Sequence, residues 1–187
     1  GIMRVNFGAK EILYPMPVLI IGTYDEKGKA DAMNAAWGSI GDTAQVFICL
    51  APEHKTVKNI MAKKAFTVSV GTKKQLVACD YVGIVSGNDE SNKIEKSGFT
   101  VTKSEFVDAP VINELPFTLE CKLISYDEKS CHLFGEIVNV SADDSVLTDG
   151  KIDYKKLQPI TFDSVSHKYI ELGEVAGNAF KDGLKLK

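Results

Sequence analysis

The chain has 187 residues, 44% of them hydrophobic and 25% charged, and a formal net charge of −3. That length suits one domain whose core needs neither metal nor disulfide support. The mildly acidic balance offers no basic field for nucleic acid, and no apolar run approaches the roughly 20 residues that span a bilayer.

The start, Gly1-Ile2-Met3-Arg4, lacks the apolar stretch and cleavage site of a signal peptide, and Gly1 ahead of an early Met reads as an addition to be left out of fold reasoning. The next apolar, β-branched run is "YPMPVLIIGTY". With the turn "DEKGK" and the segment "ADAMNAAWGSI" it predicts a hairpin in which Gly28 takes a positive φ. "AQVFICLA" predicts another strand. After Pro52 the period changes: in "HKTVKNIMAKK", Val57, Ile60 and Met61 fall at i, i+3, i+4 with lysines on the other face, which predicts an amphipathic helix. "FTVSV" returns to strand alternation. "KKQLVACDYVGIVS" predicts a second helix with Thr72 as N-cap, "SGNDESN" a polar loop, and "NKIEKSG" one short helical turn closed by Gly98.

The second half is strand-rich. "FTLECKLISY", the turn "DEKS" and "CHLFGEIVNV" predict a long hairpin with period-two arms, and "QPITFD" and "HKYIELGEV" predict two shorter elements. No repeat, low-complexity tract or linker divides residues 1–187, so the chain reads as a single domain. Antiparallel strands with helices between them point to a mainly β fold, a barrel with a few helices, and not to a doubly wound sheet. The four cysteines, Cys49, Cys79, Cys121 and Cys131, form no CxxC pair and no zinc spacing. They read as small core hydrophobes in a reducing, cytoplasmic setting.

Much familiar chemistry is missing. "GIVSGN" is not GxGxxG and does not open a helix after a strand, and there is no P-loop, which argues against Rossmann and P-loop nucleotide domains. Neither a GxSxG elbow nor HExxH occurs. His54, His132 and His167 have no metal-ligand spacing, so no metal site is expected.

Three segments carry chemistry. In "APEHKTVKNI", His54, Lys55 and Thr56 sit at the first turn of a helix, where free N–H groups and the positive dipole end suit a phosphate monoester; an ordinary surface helix with solvated lysines has the same pattern. "MNAAWGS" holds the single tryptophan, Trp37, among small residues. In an extended strand Asn34, Ala36 and Gly38 face one side and Met33, Ala35, Trp37 and Ser39 the other. The small side chains would let a flat ring approach the backbone, and the alternative is that Trp37 simply fills a core. Third, "DYVGIVSGN" followed by Lys93 supplies backbone donors and one cation, or else a plain helix end and a solvent-facing lysine.

Taken in order, Pro-x-Pro, the apolar strand, "DAMNAAWGS", "PEHKTVKNI", "FTVSV", "ACDYVGIVSG", Lys93, "DAPVI", "LECKLI", "HLFGEIVNV" and "YIELG" resemble the flavin reductase-like proteins, closest to the flavoredoxin branch, over nearly the whole chain. The resemblance implies an antiparallel Greek-key split β-barrel with inserted α-helices, a homodimer with FMN near the subunit interface. It implies that Asn34, Ala35, Ala36 and Trp37 lie against the isoalloxazine ring, with backbone contact favoured over indole stacking. His54, Lys55 and Thr56 would take the ribityl phosphate, and Ser86, Gly87 and Lys93 would approach the ring, where a lysine stabilises the charge that reduction brings. His132 and Phe162 occupy positions that look like cofactor-pocket residues. Many members carry Thr or Ser at the positions of Asn34 and Ala36, and Arg or Ser at those of His54 and Lys55, so this chain would hold the ring and phosphate by different groups.

The function implied is an FMN-dependent oxidoreductase that reduces its flavin with NAD(P)H, or passes electrons between proteins as flavoredoxins do. The flavin carries the chemistry and no catalytic side chain is expected. The alternative is a non-catalytic FMN- or haem-binding module for sensing or storage. A blander one is a barrel without ligand that acts through protein contacts.

Overall fold

A computed structural model describes residues 3–187; Gly1, and the reading of it as an addition, lie outside them. The first apolar run forms β1 (Met16–Pro17) and β2 (Leu19–Tyr24). Ile20 and Ile21 are both fully buried, so β2 is covered on both faces, which is why its sequence is continuously apolar rather than alternating. The turn to β3 (Ala30–Ala35) is held by Asp25, whose Oδ1 accepts from the amides of Lys27 and Lys29, and Gly28 takes a φ of +82°. β4 (Gly38–Asp42) and β5 (Gln45–Cys49) precede α1 (Lys55–Lys63), β6 (Ala65–Val70), α2 (Leu76–Ile84) and α3 (Lys93–Ser97). Gly98 ends α3 in the left-handed conformation, as its sequence predicts.

A small ribbon of β7 (Val101–Lys103) and β8 (Pro110–Ile112) leads to the long hairpin β9 (Phe117–Asp127) and β10 (His132–Ala142). The chain then runs through β11 (Leu147–Thr148), β12 (Lys151–Ile152), α4 (Tyr154–Leu157), β13 (Ile160–Asp163) and β14 (Lys168–Glu171). β7, β8, β11, β12 and α4 are too short to leave a period in the sequence.

Seven strands form one antiparallel sheet in the order β3-β2-β6-β9-β10-β5-β4, and β1 joins β13 and β14 in a second, smaller sheet. β3 and β4 are the two edges of the large sheet, yet only Ala36 and Trp37 separate them in sequence. The sheet must therefore curl until its edges meet at those two residues. The result is a split barrel with its seam at Trp37, and the single strand read through residues 33–39 is in fact broken there.

The barrel interior is filled by Leu19, Ile21, Val46, Ile48, Phe66, Val68 and Leu133, and plugged by Val57 and Ile60 of α1. On the other face of β2 and β3, Val18, Ile20 and Ala32 pack against Cys79 and Val82 of α2. Three sequence expectations need correction. Met61 is 41% exposed, because the buried arc of α1 runs through Thr56, Val57, Asn59 and Ile60, and Asn59 Nδ2 turns inward to donate to Thr23 Oγ1. Thr72 Oγ1 accepts from the Gln75 amide, so it closes the turn before α2, whose N-cap is Gln75. Cys79 and Cys121 are buried, and burial pushes their thiols up to about 11 and about 12. Cys49 and Cys131 are only half-buried, since the outer side of β5 and the end of its partner hairpin are uncovered. Among the described residues no helix is long and apolar enough to cross a membrane.

Candidate functional site

A cavity of about 360 Å³ opens beside the seam, within the range of about 300–1,000 Å³ usual for small-molecule sites. Five pieces of chain meet there: the end of β3 with Ala36 and Trp37, the end of β5, the start of α1, the end of α2 with its following loop, and Lys93 at the start of α3.

The start of α1 has the make-up that suits an anion. His54 is the N-cap in extended backbone, no side chain caps the turn, and the first turn carries no acidic residue. The amides of Val57 and Lys58 donate back to the His54 carbonyl, whereas those of Lys55 and Thr56 meet no acceptor among the described residues. Two free N–H groups, the Thr56 hydroxyl, the Lys55 cation and the helix dipole thus converge at one end of the cavity.

The seam supplies a flat wall. Ala35 and Ala36 put no bulk into the cavity, and Trp37, 53% exposed, stands at its rim and is not core filling. Asn34 turns the other way: its Nδ2 donates to the Cys79 carbonyl at 2.9 Å and clips α2 to β3. Gly83 must be glycine for that approach, because a Cβ there would lie 2.9 Å from Asn34 Cβ.

Opposite runs the loop after α2, where Ser86 and Gly87 line the cavity with Lys93 and Asp31. Asp31 and Lys93 are 3% and 4% exposed, with Nζ and Oδ1 3.7 Å apart. Burial lowers the Lys93 pKa, the Asp31 charge opposes that, and the Lys55 cation adds to it.

Ten of the twelve residues singled out in the sequence line this cavity: Asn34, Ala35, Ala36, Trp37, His54, Lys55, Thr56, Ser86, Gly87 and Lys93. The other two do not. His132 is exposed on β10, directly across from Cys49, with its ring edge-on to Phe47 at 5.0 Å. Phe162 lies on the far side of Trp37, in a groove between β13 and the N-terminal segment Val5–Ile12. Asp31, Cys49 and Leu50 belong to the cavity although the sequence did not single them out as site residues. For Asp31 a signal existed: an acid set between alanines in a run that alternates into a core has to be answered by a buried cation.

The residues fit a planar ring with polar edges that carries a phosphate: a flat wall, an open helix terminus, a buried lysine and a buried Asp31 carboxylate oxygen that accepts no hydrogen bond. Curled sheet and cavity together define a split barrel with an open cavity at its seam. Residues 12–158 match the flavin reductase like domain, and the chain belongs to that family of flavin-binding redox proteins. The structure superposes on flavoredoxin of Desulfovibrio vulgaris (Miyazaki F) with a TM-score of 0.92 and 35% identity, covering 97% of this chain and 100% of that one. For flavoredoxin from Methanosarcina acetivorans the TM-score is 0.89 and the identity 28%, over 99% of this chain and 100% of that one. An uncharacterized protein of Aquifex aeolicus (strain VF5) is 32% identical over 111 residues, 56% of this chain, and the match spans 55% of that relative's length.

Proposed function

We propose that the protein binds FMN in the seam cavity and transfers electrons through it, as an oxidoreductase of the flavin reductase and flavoredoxin type, with the whole chain acting as one flavin-binding unit. One juxtaposition carries this: an uncapped α1 terminus, a flat Ala35–Ala36 wall and a buried Lys93 share a single cavity. Bound FMN supplies the electron-accepting chemistry, and the protein supplies binding, orientation and charge.

The α1 amides of Lys55 and Thr56, with the Thr56 hydroxyl and the Lys55 and His54 side chains, hold the phosphate. The backbone of Asn34, Ala35 and Ala36 faces the ring, and the Asn34 side chain contributes by keeping α2 and its loop in place. Ser86 and Gly87 close the cavity opposite, and Lys93 neutralises charge that reduction brings to the ring. Trp37 shapes the rim, so that the electron donor, NAD(P)H or a redox protein, meets the ring where the cavity is open.

A second copy of the chain covers the rim in this proposal. Trp37, Val5, Phe7, Ile12 and Val165 are exposed apolar residues lining the groove that holds Phe162, and an apolar surface of this kind is characteristic of an interface. His132 and Phe162 then approach the cofactor region from its outer side. Four free cysteines agree with a reducing cytoplasmic setting.

The test is anaerobic mixing of the FMN-loaded protein with NADH or NADPH while following flavin absorbance. Bleaching faster than that of free FMN supports a nicotinamide-linked reductase. Bleaching at the rate of free FMN with both nucleotides rules that version out and leaves the protein-to-protein carrier. Sedimentation as a monomer at micromolar concentration would exclude the second copy.

A further inference from the structure

The Asp31–Lys93 pair does something that binding of ring and phosphate does not require. Both side chains are almost wholly buried in the cavity wall. Their 3.7 Å separation is wider than the about 2.7–2.9 Å of a charge-assisted hydrogen bond, and Asp31 Oδ1 accepts no hydrogen bond at all. The carboxylate is held from behind: a Cβ on Gly87 would fall 2.7 Å from Asp31 Oδ2, so the loop backbone packs directly on it.

Among the described residues that line the cavity, Asp31 is the one acid, set against Lys93, Lys55 and His54. Among the described residues the remaining faces around Lys93 bring no second anion to bear on it. Ser86 and Gly87 are uncharged, Glu90 in the same loop engages Lys96, and α1 presents Lys55, whose charge works against a second ammonium nearby. A buried ammonium without a counter-charge sheds its proton.

Resting on the FMN assignment above, we propose that Asp31 is the positioning residue for Lys93: its carboxylate keeps the ammonium charged and in place, so that Lys93 serves the flavin as a permanent cation and not as a titrating amine. In the parent protein, reduction of the bound flavin by dithionite then takes up two electrons and one proton, the proton going to the flavin while Lys93 keeps its own. Without the carboxylate, burial and the Lys55 charge displace the Lys93 proton from the oxidised protein. Reduction restores it, so two protons accompany the two electrons, the second landing on Lys93 Nζ.

Two measurements test this on the full chain. Dithionite titration of the FMN-loaded protein over about pH 7.5–9, between the usual histidine and lysine ranges, reads protons per electron pair. The parent is expected to take up one, Asp31→Asn two over part of that window, and Asp31→Asn with Lys93→Arg one again, since a guanidinium stays charged. Separately, NMR titration of the Lys93 side chain in flavin-free protein is expected to show it losing its proton at a lower pH in Asp31→Asn than in the parent, where the carboxylate opposes the effect of burial. Asp31→Ala removes the carboxylate with a different volume, so a packing defect in one variant leaves the other readable. Failure of the parent to take up FMN refutes the FMN assignment. A Lys93 signal that titrates alike in the parent and both Asp31 variants, or one proton per electron pair in all of them, overturns the role of Asp31.

Discussion

At the scale of single residues, the site concentrates charge where the chain offers few ways to answer it. Thr56 and Lys93 face the cavity from different elements, so their contributions to FMN binding should be separable. Thr56→Ala and Lys93→Ala should each raise the FMN dissociation constant about tenfold, about 1.4 kcal/mol, in a fluorescence-quenching titration. Retention of FMN as tight as the parent's in both variants would mean that these residues do not hold it. Away from the site, Gly135 shows how tightly the barrel interior is filled: a Cβ there would lie 2.4 Å from Phe66 Cζ. Gly135→Ala should therefore destabilise the fold by about 1–3 kcal/mol through overpacking, measured by chemical denaturation, with FMN stoichiometry unchanged in the folded fraction. These two glycine and threonine effects differ in legibility. Thr56 could be picked out because a helix start has a recognisable pattern, whereas the need for Gly135 arises from a phenylalanine far away in sequence.

Elements were legible where their period was long enough to speak. α1, the β2–β3 turn and the β9–β10 hairpin stand as their patterns predict. Met61 was misplaced because helical spacing alone cannot tell a buried arc centred on Thr56 and Ile60 from one centred on Val57 and Met61; the bond from Asn59 to Thr23 decides it. The seam was misread for a related reason. Alternation continues on paper through Trp37, but the two edges of a seven-stranded sheet must be joined there, and the strand stops at Ala35. The clip between Asn34 and the Cys79 carbonyl is what fastens α2 to that edge. Asn34→Ala should cost about 1 kcal/mol, the usual worth of one such bond, and should speed amide exchange in α2 more than in β6. The β13–β14 hairpin depends on acid in a different way. Its Asp163 accepts from Ser166 Oγ, Tyr14 OH and the Val165 amide, which hold the carboxyl down to about 2. A carboxyl depressed in the folded state contributes stability that is fully present above its unfolded value of about 3.9 and disappears as pH falls toward the folded value. Amide protection factors in β13 and β14 should therefore fall between about pH 4 and pH 2, and Asp163→Asn should flatten that dependence.

For the whole molecule, the curl of one antiparallel sheet does two things at once. It closes a core around Ile48, Phe66 and Leu133, and it brings the end of β3, the start of α1 and the loop before α3 to one seam, although these lie far apart in the chain. No local pattern encodes that meeting. The order of motifs along the chain did, which is why the fold and ten cavity residues could be anticipated, while Asp31, whose partner Lys93 lies far along the chain, was signalled only by an acid set in a core-facing run and was not singled out. Phe162 and His132 lie outside the cavity of a single chain, Phe162 in the groove beyond Trp37 and His132 against Phe47. The central claim is that this seam holds FMN. It is tested most directly by mixing the purified protein with excess FMN, removing free ligand by gel filtration and recording the absorbance spectrum of the protein fraction. One flavin per chain, with the visible flavin bands travelling with the protein, is the predicted result. A colourless protein fraction, or a Soret band of bound haem in place of flavin absorbance, would contradict it.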